Sequence, residues 1–264
     1  MTNPPFVKVG CAIVGMLALV IGVVVGLLIA TRQPTPTIPE LLAGYEPSER
    51  QALEALCAAA QIEPTQLRPL RIWAWDLTKQ PLAISADDRR HVRALRISGR
   101  GLTDLRPIAA LKGLRTLWLD GNKLTKLEGL EDLQDLAELN LRGNALTAVA
   151  ALPPNLLVLD IGENQVATLD GISWPSRCAQ LFAARNALTS LDFLQHAPAL
   201  AEVDLDHNAV TSLDPLLALK KTALVHLYLR HNRVAALPSA KPALPDLKVW
   251  LEGNPVAPAE KTWP

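Results

Sequence analysis

The chain has 264 residues, with 26 basic and 26 acidic side chains and a formal net charge of zero. This balance lacks the basic excess of nucleic-acid-binding proteins, so we predict no nucleic-acid partner. The three cysteines, Cys11, Cys57 and Cys178, make no disulfide framework.

An uncharged segment occupies residues 9–30, after a short tail at residues 1–8. As a helix it spans about 33 Å, which matches a bilayer hydrocarbon core of ~30 Å. A cleaved secretory signal is the alternative, but the run is long for one, and the bulky Leu28 stands where a cleavage site ending at Ala30 needs a small residue. We therefore predict an uncleaved transmembrane helix. Lys8 favours a cytoplasmic N-terminus, with the rest of the chain periplasmic or extracellular.

Two short regions follow this segment. Three prolines between Arg32 and Pro39 predict a stiff, extended linker over residues 31–44. A helix is predicted to begin at Pro47, with Ser48 and Gln51 forming a capping box, and a degenerate strand is predicted at residues 70–72. We interpret residues 45–91 as a helical N-terminal cap that covers the first apolar turn of the region beyond it.

Residues 92–264 repeat one phrase, L-x-x-L-x-L-x-x-N-x-L, followed by a looser return segment. Consecutive copies are 20 to 24 residues apart, mostly 22, and the first copy has Arg100 at the asparagine position. Because the leucines of L-x-L alternate, they share one face of a short strand, which a single copy cannot bury. Stacked copies therefore predict a parallel sheet over a continuous apolar core. The asparagines of the other copies are Asn122, Asn144, Asn164, Asn186, Asn208, Asn232 and Asn254.

These asparagines end the predicted strands. Their side-chain amides are able to hydrogen-bond backbone groups of the neighbouring turn, which would otherwise be buried without partners. We interpret them as a structural ladder and not as catalytic residues.

The repeats from about Val92 to Val256 resemble the leucine-rich repeat family, and they are most similar to the 22-residue class of bacterial surface proteins such as the internalins. The resemblance implies an α/β solenoid of about eight repeats with a curved parallel sheet on its concave side. It also implies binding of a protein partner, without naming that partner.

The residue between the two leucines of L-x-L points away from the core, onto the concave sheet. Four of the eleven aromatic residues fall in this single column, although the core does not need them there. Exposed aromatic side chains on a rigid sheet are typical anchors for a partner. Together with polar neighbours they form the predicted partner-binding face: Trp118, Asn140, Arg142, Asp160, Phe182, Asp204, Asp206, Tyr228, Arg230 and Trp250.

The predicted function is therefore a membrane-anchored repeat protein that binds a protein partner through its concave sheet. A glycan or cell-wall ligand is an alternative, since aromatic faces beside aspartates also suit sugars. Self-assembly through the short C-terminal end, or through Gly22 and Gly26 of the apolar segment, is another. The concave aromatics also have a purely structural interpretation, in which they stack on one another.

Catalytic motifs for phosphate binding, zinc proteolysis or a serine nucleophile are absent from the sequence, which predicts no enzyme and no cofactor. Asp204, Asp206 and the nearby histidines His207, His226 and His231 come from neighbouring predicted strands. Their spacing matches no diagnostic ligand pattern, so we predict no metal site.

Overall fold

The computed structural model of the chain describes residues 45–62, 66–69, 82–86, 91–256 and 262–263. They belong to a compact unit that spans Thr37–Pro264. The segment at 9–30, the linker at 31–44 and the degenerate strand at 70–72 lie outside the described residues. Over the described ranges, no helix has the length and apolar character needed to cross a bilayer.

One sheet contains all eleven strands of the described residues, and its strand order is the chain order. Every neighbouring pair from β3 to β10 is parallel, as the repeats predict. The strands are β1 Arg68–Pro69, β2 Leu82–Ala86, β3 Val92–Ile97, β4 Thr116–Trp118, β5 Glu138–Asn140, β6 Val158–Asp160, β7 Gln180–Phe182, β8 Glu202–Asp204, β9 His226–Tyr228, β10 Lys248–Trp250 and β11 Thr262–Trp263.

The two edges of this parallel array differ from its middle. At the N-terminal side, β2 runs antiparallel to β3, and β1 pairs parallel with β2. At the C-terminal side, β11 runs antiparallel to β10. The C-terminal end, which the sequence predicts only as a short closure, therefore contains a strand whose backbone extends the sheet by one position.

The core lies behind the sheet and is built from the repeat leucines. Each strand from β4 to β9 has a buried central residue between two half-buried ones. In the second copy, Leu117 and Leu119 are fully buried, and Leu124, the last leucine of the phrase, joins them. Three returns contain short 3₁₀ helices, η1 Arg106–Ala110, η2 Asp192–His196 and η3 Asp214–Ala218. The same apolar cluster continues from residue 45 to residue 256.

Helix α1, Pro47–Ala59, begins with a proline, whose fixed φ suits the first turn. The predicted capping box is wrong: Glu46 is the N-cap residue and makes no side-chain capping bond, so Ser48 lies inside the first turn. Gln51 is exposed. The side chains that α1 contributes to the core are Ala52, Leu53, Leu56 and Cys57.

The asparagine side chains join consecutive turns. Asn164 is typical: its Oδ1 accepts the Leu146 N–H at 3.0 Å, and its Nδ2 donates to the carbonyl oxygens of Leu141 at 3.1 Å and Ile161 at 2.9 Å. Equivalent bonds across turns are made by Asn122, Asn144, Asn186, Asn208, Asn232 and Asn254. Each amide thus provides partners for backbone groups that burial removes from water.

The first copy has Arg100 in place of the ladder asparagine. A ladder asparagine donates to the preceding parallel turn, as Asn122 does to the Ile97 carbonyl. The strand before β3 is the antiparallel β2, so among the described residues no parallel turn precedes Arg100. The Arg100 N–H itself is satisfied by Asn122 Oδ1 at 3.0 Å.

The residue just before each ladder position has a positive φ in all eight copies. Four copies place glycine there, which adopts this conformation without steric penalty. The other four have φ between 54° and 58° in residues with a side chain, which disfavours this left-handed region by about 1 kcal/mol or more each. These four residues come from four consecutive copies, and we call them the rim: Glu163, Arg185, His207 and His231.

A reciprocal pair of substitutions tests this strain. We expect Arg185→Gly to raise the free energy of unfolding by about 0.5–1 kcal/mol. Glycine removes the steric strain of the left-handed conformation from the folded state, and this gain is larger than the free-energy cost of the extra conformational entropy that glycine gives the unfolded chain. Gly143→Ala should lower it by about 1 kcal/mol. A Cβ at Gly143 meets no atom closer than 3.5 Å, so crowding is not the cause. Urea unfolding measures both changes, and a fall in stability for both variants would contradict the assignment.

Candidate binding face of the sheet

Three columns of side chains cover the side of the sheet opposite the core: the residues directly before, between and after the two leucines of L-x-L in each copy. We call this surface the sheet face. The strand register aligns Trp118, Asn140, Asp160 and Phe182 on successive strands, and Asp204, Tyr228 and Trp250 continue the row. All seven are half-buried. The predicted column is therefore continuous, but with strands ~4.8 Å apart, Trp118 and Tyr228 are roughly 24 Å from each other along the sheet. The four aromatic residues do not form one patch.

At the N-terminal end, Trp118 is held by side chains of this chain. Its Nε1 donates to Glu138 Oε1 at 2.8 Å, and the Arg96 guanidinium lies 4.9 Å from its ring centroid. Arg96 also donates to Ser98 Oγ at 2.8 Å and pairs with Asp120 at 3.2 Å. Burial raises the pKa of Glu138, and the bond from Trp118 acts against that shift. The indole is therefore held in place from two sides. Arg96 of this chain supplies the cation over the ring, and Glu138 supplies the hydrogen-bond acceptor.

At the C-terminal end, Tyr228 and Trp250 form a stacked pair with ring centroids 4.4 Å apart. The His226 ring lies 5.6 Å from that of Trp250. The Arg230 guanidinium lies 5.3 Å from the Tyr228 centroid and forms ion pairs with Asp206 at 3.4 Å and Glu252 at 3.2 Å. Burial, with a smaller contribution from Glu202, raises the pKa of Tyr228. This end is a flat aromatic platform whose adjacent cation is already paired.

The centre of the sheet face is acidic. Phe182 lies between Asp160 on one neighbouring strand and Asp204 on the other. Asp160 Oδ1 accepts the Gly162 N–H at 2.8 Å, and Asp204 Oδ1 accepts the Asp206 N–H at 2.9 Å. Both carboxylates are thereby fixed by their own backbone.

Burial is the largest cause of the pKa shifts in this region. It raises the pKa of Asp160 to about 6, against the hydrogen bond from Gly162 and the charge of Arg142, and Asp204 adds to the rise. The pKa of Asp206 is raised by burial and by Asp204, with Arg230 acting against the shift. Asp160 and Asp206 are thus poorly solvated by water, and the nearby arginines only partly offset their burial.

The rim lies beside the sheet face, and its members contact one another. Glu163 pairs with Arg185 at 3.9 Å, and the rings of His207 and His231 stack with centroids 4.4 Å apart. Glu163 also pairs with Arg142 of the sheet face at 2.7 Å. Across the described ranges, no three histidine, cysteine or acidic side chains are grouped closely enough to hold a metal ion.

Sequence reasoning did not include Arg96, Glu138 and His226 among the site residues, although each directly contacts an aromatic side chain of the face. The signal was in the alignment of the copies, because Arg96 and Trp118 occupy the same column of adjacent repeats. Charge next to an aromatic residue in one column predicts a cation–π contact between neighbouring strands.

A family profile described as "Leucine Rich repeats (2 copies)" matches residues 112–154. No curated protein sequence matches the chain. Among solved structures, YopM from Yersinia enterocolitica is 27% identical with a TM-score of 0.50, and the alignment covers 62% of this chain and 34% of that one. A chain in the octameric complex of latrophilin 3, Unc5D and FLRT2 (LRR) is 25% identical with a TM-score of 0.53, covering 62% and 54%. Internalin C2 from Listeria monocytogenes is 21% identical with a TM-score of 0.46, covering 84% and 100%.

The chain spans only 34% to 59% of the length of three of the solved structures that it matches. Within that span, the matched profile covers two copies of the phrase, and the same strand register and asparagine bonds continue through the copies on both sides. This match confirms the predicted resemblance to the leucine-rich repeat family, and residues 112–154 contain two leucine-rich repeats.

Proposed function

We propose that the chain is a non-enzymatic binding scaffold that docks a protein partner on its sheet face. The observation that carries the proposal is the Tyr228–Trp250 stack, a half-buried aromatic platform on the side of the sheet that the core does not use. Aromatic side chains in such a position commonly dominate the energy of protein interfaces. One matched solved structure, the complex that includes FLRT2 (LRR), is an assembly of several proteins.

The rigidity of the platform supports the proposal. The stack and the Arg230 contact hold Tyr228 and Trp250 in place before any partner arrives. A preorganised surface loses less side-chain entropy on binding than a flexible one. The polar residues around it, including Asp206 and Glu252, would then form a rim that sets orientation and specificity.

Two further parts of the proposal concern the ends of the chain. Helix α1 would act as the N-terminal cap, because Leu53, Leu56 and Cys57 share one core with the repeats. Residues 9–30 would anchor the chain in a membrane with the repeats on the far side, which their uncharged sequence supports. Extraction of the full chain with alkaline carbonate tests the anchor, since release into the supernatant would contradict it.

The binding test compares capture of a partner by the wild-type chain with capture by Trp118→Ala and by Tyr228→Ala/Trp250→Ala. We expect the double variant to bind the captured protein at least tenfold more weakly, because truncated interface aromatics typically lose about 2 kcal/mol or more. Trp118→Ala reports separately on the other end of the face. The measurement is affinity for the recovered protein by biolayer interferometry.

The matched control is Leu217→Ala, which removes an exposed apolar side chain from η3, away from the sheet face. It should retain full affinity. Thermal unfolding of every variant shows whether a lost affinity comes from lost structure. Equal capture by the wild type and all aromatic variants would show that the interface lies outside the sheet face. Recovery of only wall polymer would favour the glycan alternative, and recovery of only further copies of the chain would favour self-assembly.

A further inference from the structure

The aromatic side chains at the two ends of the sheet face contact cations or other rings of this chain, whereas the one at its centre contacts none in the part of the chain that the structure describes. The Arg96 guanidinium lies over the Trp118 ring. The Tyr228 ring contacts the Arg230 guanidinium and stacks on the Trp250 ring. Among the described residues, Phe182 is the one aromatic residue of the column with neither a cation nor another ring beside it.

The centre also lacks balancing charge. We define the central strip as the outward residues of β6, β7 and β8 and of the positions just after them. It has four carboxylates and no basic side chain, and its members are Val158, Asp160, Gly162, Gln180, Phe182, Ala184, Glu202, Asp204 and Asp206. Arg230 pairs with Asp206, which leaves three carboxylates without an ion pair among the described residues.

The two nearest arginines already have partners. Arg142 pairs with Glu163 of the rim at 2.7 Å, and Arg230 is shared between Asp206 and Glu252. Gly162 has no side chain, but Asp160 Oδ1 and Arg142 Nη1 lie 3.1 Å and 3.3 Å from the place of a Cβ there, so Arg142 borders the strip without forming an ion pair with Asp160. The strip therefore combines a half-buried aromatic ring with a carboxylate on each neighbouring strand.

We infer that the central strip receives an arginine or lysine side chain of a protein partner, with its cation over Phe182 and between Asp160 and Asp204. A guanidinium or ammonium group is attracted to the face of an aromatic ring and to carboxylates together. The two aspartates are two strand spacings apart, roughly 10 Å, which is too far for both to ligate one metal ion without rearrangement. The inference rests on the proposed function, since it names the chemistry of the partner at the same face.

The two ends then have a different role from the centre. Because their charges are already paired, they provide flat, apolar contact, whereas the centre selects a basic group. A partner with a glutamate at the corresponding position would meet three like charges and be rejected.

The test uses the full chain, kept in mild detergent because of residues 9–30, and three synthetic peptides of equal length. The first is arginine-rich, the second has citrulline at every arginine, and the third has glutamate there. Citrulline keeps the shape of arginine and removes its charge. Fluorescence anisotropy measures each affinity, and we expect the arginine peptide to bind at least tenfold more tightly than the citrulline peptide and the glutamate peptide not to bind.

Variants then locate the site. Asp160→Asn/Asp204→Asn should weaken arginine-peptide binding about tenfold or more. Phe182→Leu, which keeps apolar bulk and removes the aromatic face, should weaken it about three- to tenfold. The control, Asp132→Asn/Asp246→Asn, makes the same change in net charge at exposed residues outside the three columns of the sheet face and should leave binding unchanged.

Three outcomes would overturn the inference: equal binding of arginine and citrulline peptides, equal loss in the control and in the central double variant, or no effect of Phe182→Leu. Failure of the arginine peptide to bind at all would also overturn it. If that happens while Tyr228→Ala/Trp250→Ala still loses the captured partner, the proposed function stands without this inference. If the aromatic variants keep their partner, the proposed function fails, whatever the peptides show.

Discussion

Asn164→Ala is expected to lower the free energy of unfolding by about 2 kcal/mol, because it leaves the buried Leu146 N–H without its acceptor. It also removes one of the two asparagine donors to each of the carbonyls of Leu141 and Ile161. The lost side chain accepts from the Leu146 N–H and donates to the carbonyls of Leu141 and Ile161. Alanine is small enough to fit, so the effect reports the hydrogen bonds and not crowding. Equilibrium unfolding in urea, followed by circular dichroism, measures it.

Asn155→Ala is the matched control. Its side chain is exposed and makes one bond, from Nδ2 to the Gln134 carbonyl at 2.9 Å. Water replaces that bond readily, so the change should be within about 0.5 kcal/mol. A loss of stability no greater for Asn164→Ala than for Asn155→Ala would show that the ladder does not stabilise the solenoid.

Asp160→Asn is expected to stabilise the protein by about 2–3 kcal/mol above pH 6, with the gain disappearing below about pH 4. Burial raises the pKa of Asp160 to about 6 in the folded protein, whereas an unfolded aspartate has a pKa of about 3.9. Between these values the unfolded chain releases its proton and the folded protein retains it. Wild-type stability therefore falls as pH rises through this window, and asparagine, which does not titrate, avoids the loss.

The substitution preserves the local hydrogen bond. On the adjacent strand, Asn140 occupies the same column, and its Oδ1 accepts the Arg142 N–H at 3.0 Å, as Asp160 Oδ1 accepts the Gly162 N–H at 2.8 Å. Unfolding free energies measured from pH 4 to pH 7 test the prediction. Asp132→Asn, at an exposed side chain, controls for the change in net charge. A stability difference between wild type and Asp160→Asn that does not vary with pH would contradict it.

This stability penalty also bears on function. A half-buried carboxylate whose raised pKa predicts a less stable folded state, where the neighbouring copy has asparagine in the same geometry, is more easily explained by binding than by folding. Asp160→Asn should therefore separate the two properties, with higher stability and weaker binding of a basic side chain.

The repeat period made most of the fold predictable. A regular spacing near 22 residues places the same position of every copy on neighbouring strands, so the column from Trp118 to Trp250 could be read from the sequence and appears in the strand register. The start of α1 at Pro47 was predicted, but its capping was not, because Ser48 and Gln51 match a capping pattern that the proline at the first helical position displaces.

For the candidate site, the sequence predicted which residues point outward from the sheet but not which side chains they contact. The column identifies Trp118, Phe182 and Tyr228 as outward residues, but it does not show that Arg96 covers the first and Arg230 the third, while Phe182 has no such partner among the described residues. Those contacts depend on the rotamers of long side chains and on competing ion pairs, such as that of Arg142 with Glu163.

By itself the sequence determined the parallel stack, its register and the positions of the ladder asparagines, because these follow from a period that each copy repeats locally. Only the tertiary structure decided the antiparallel strands at the two edges, the left-handed rim from Glu163 to His231 and the burial that shifts the pKa of Asp160. The physical reason is that edges, backbone strain and desolvation depend on which groups surround a residue in space, and a repeating pattern states only which copies are neighbours.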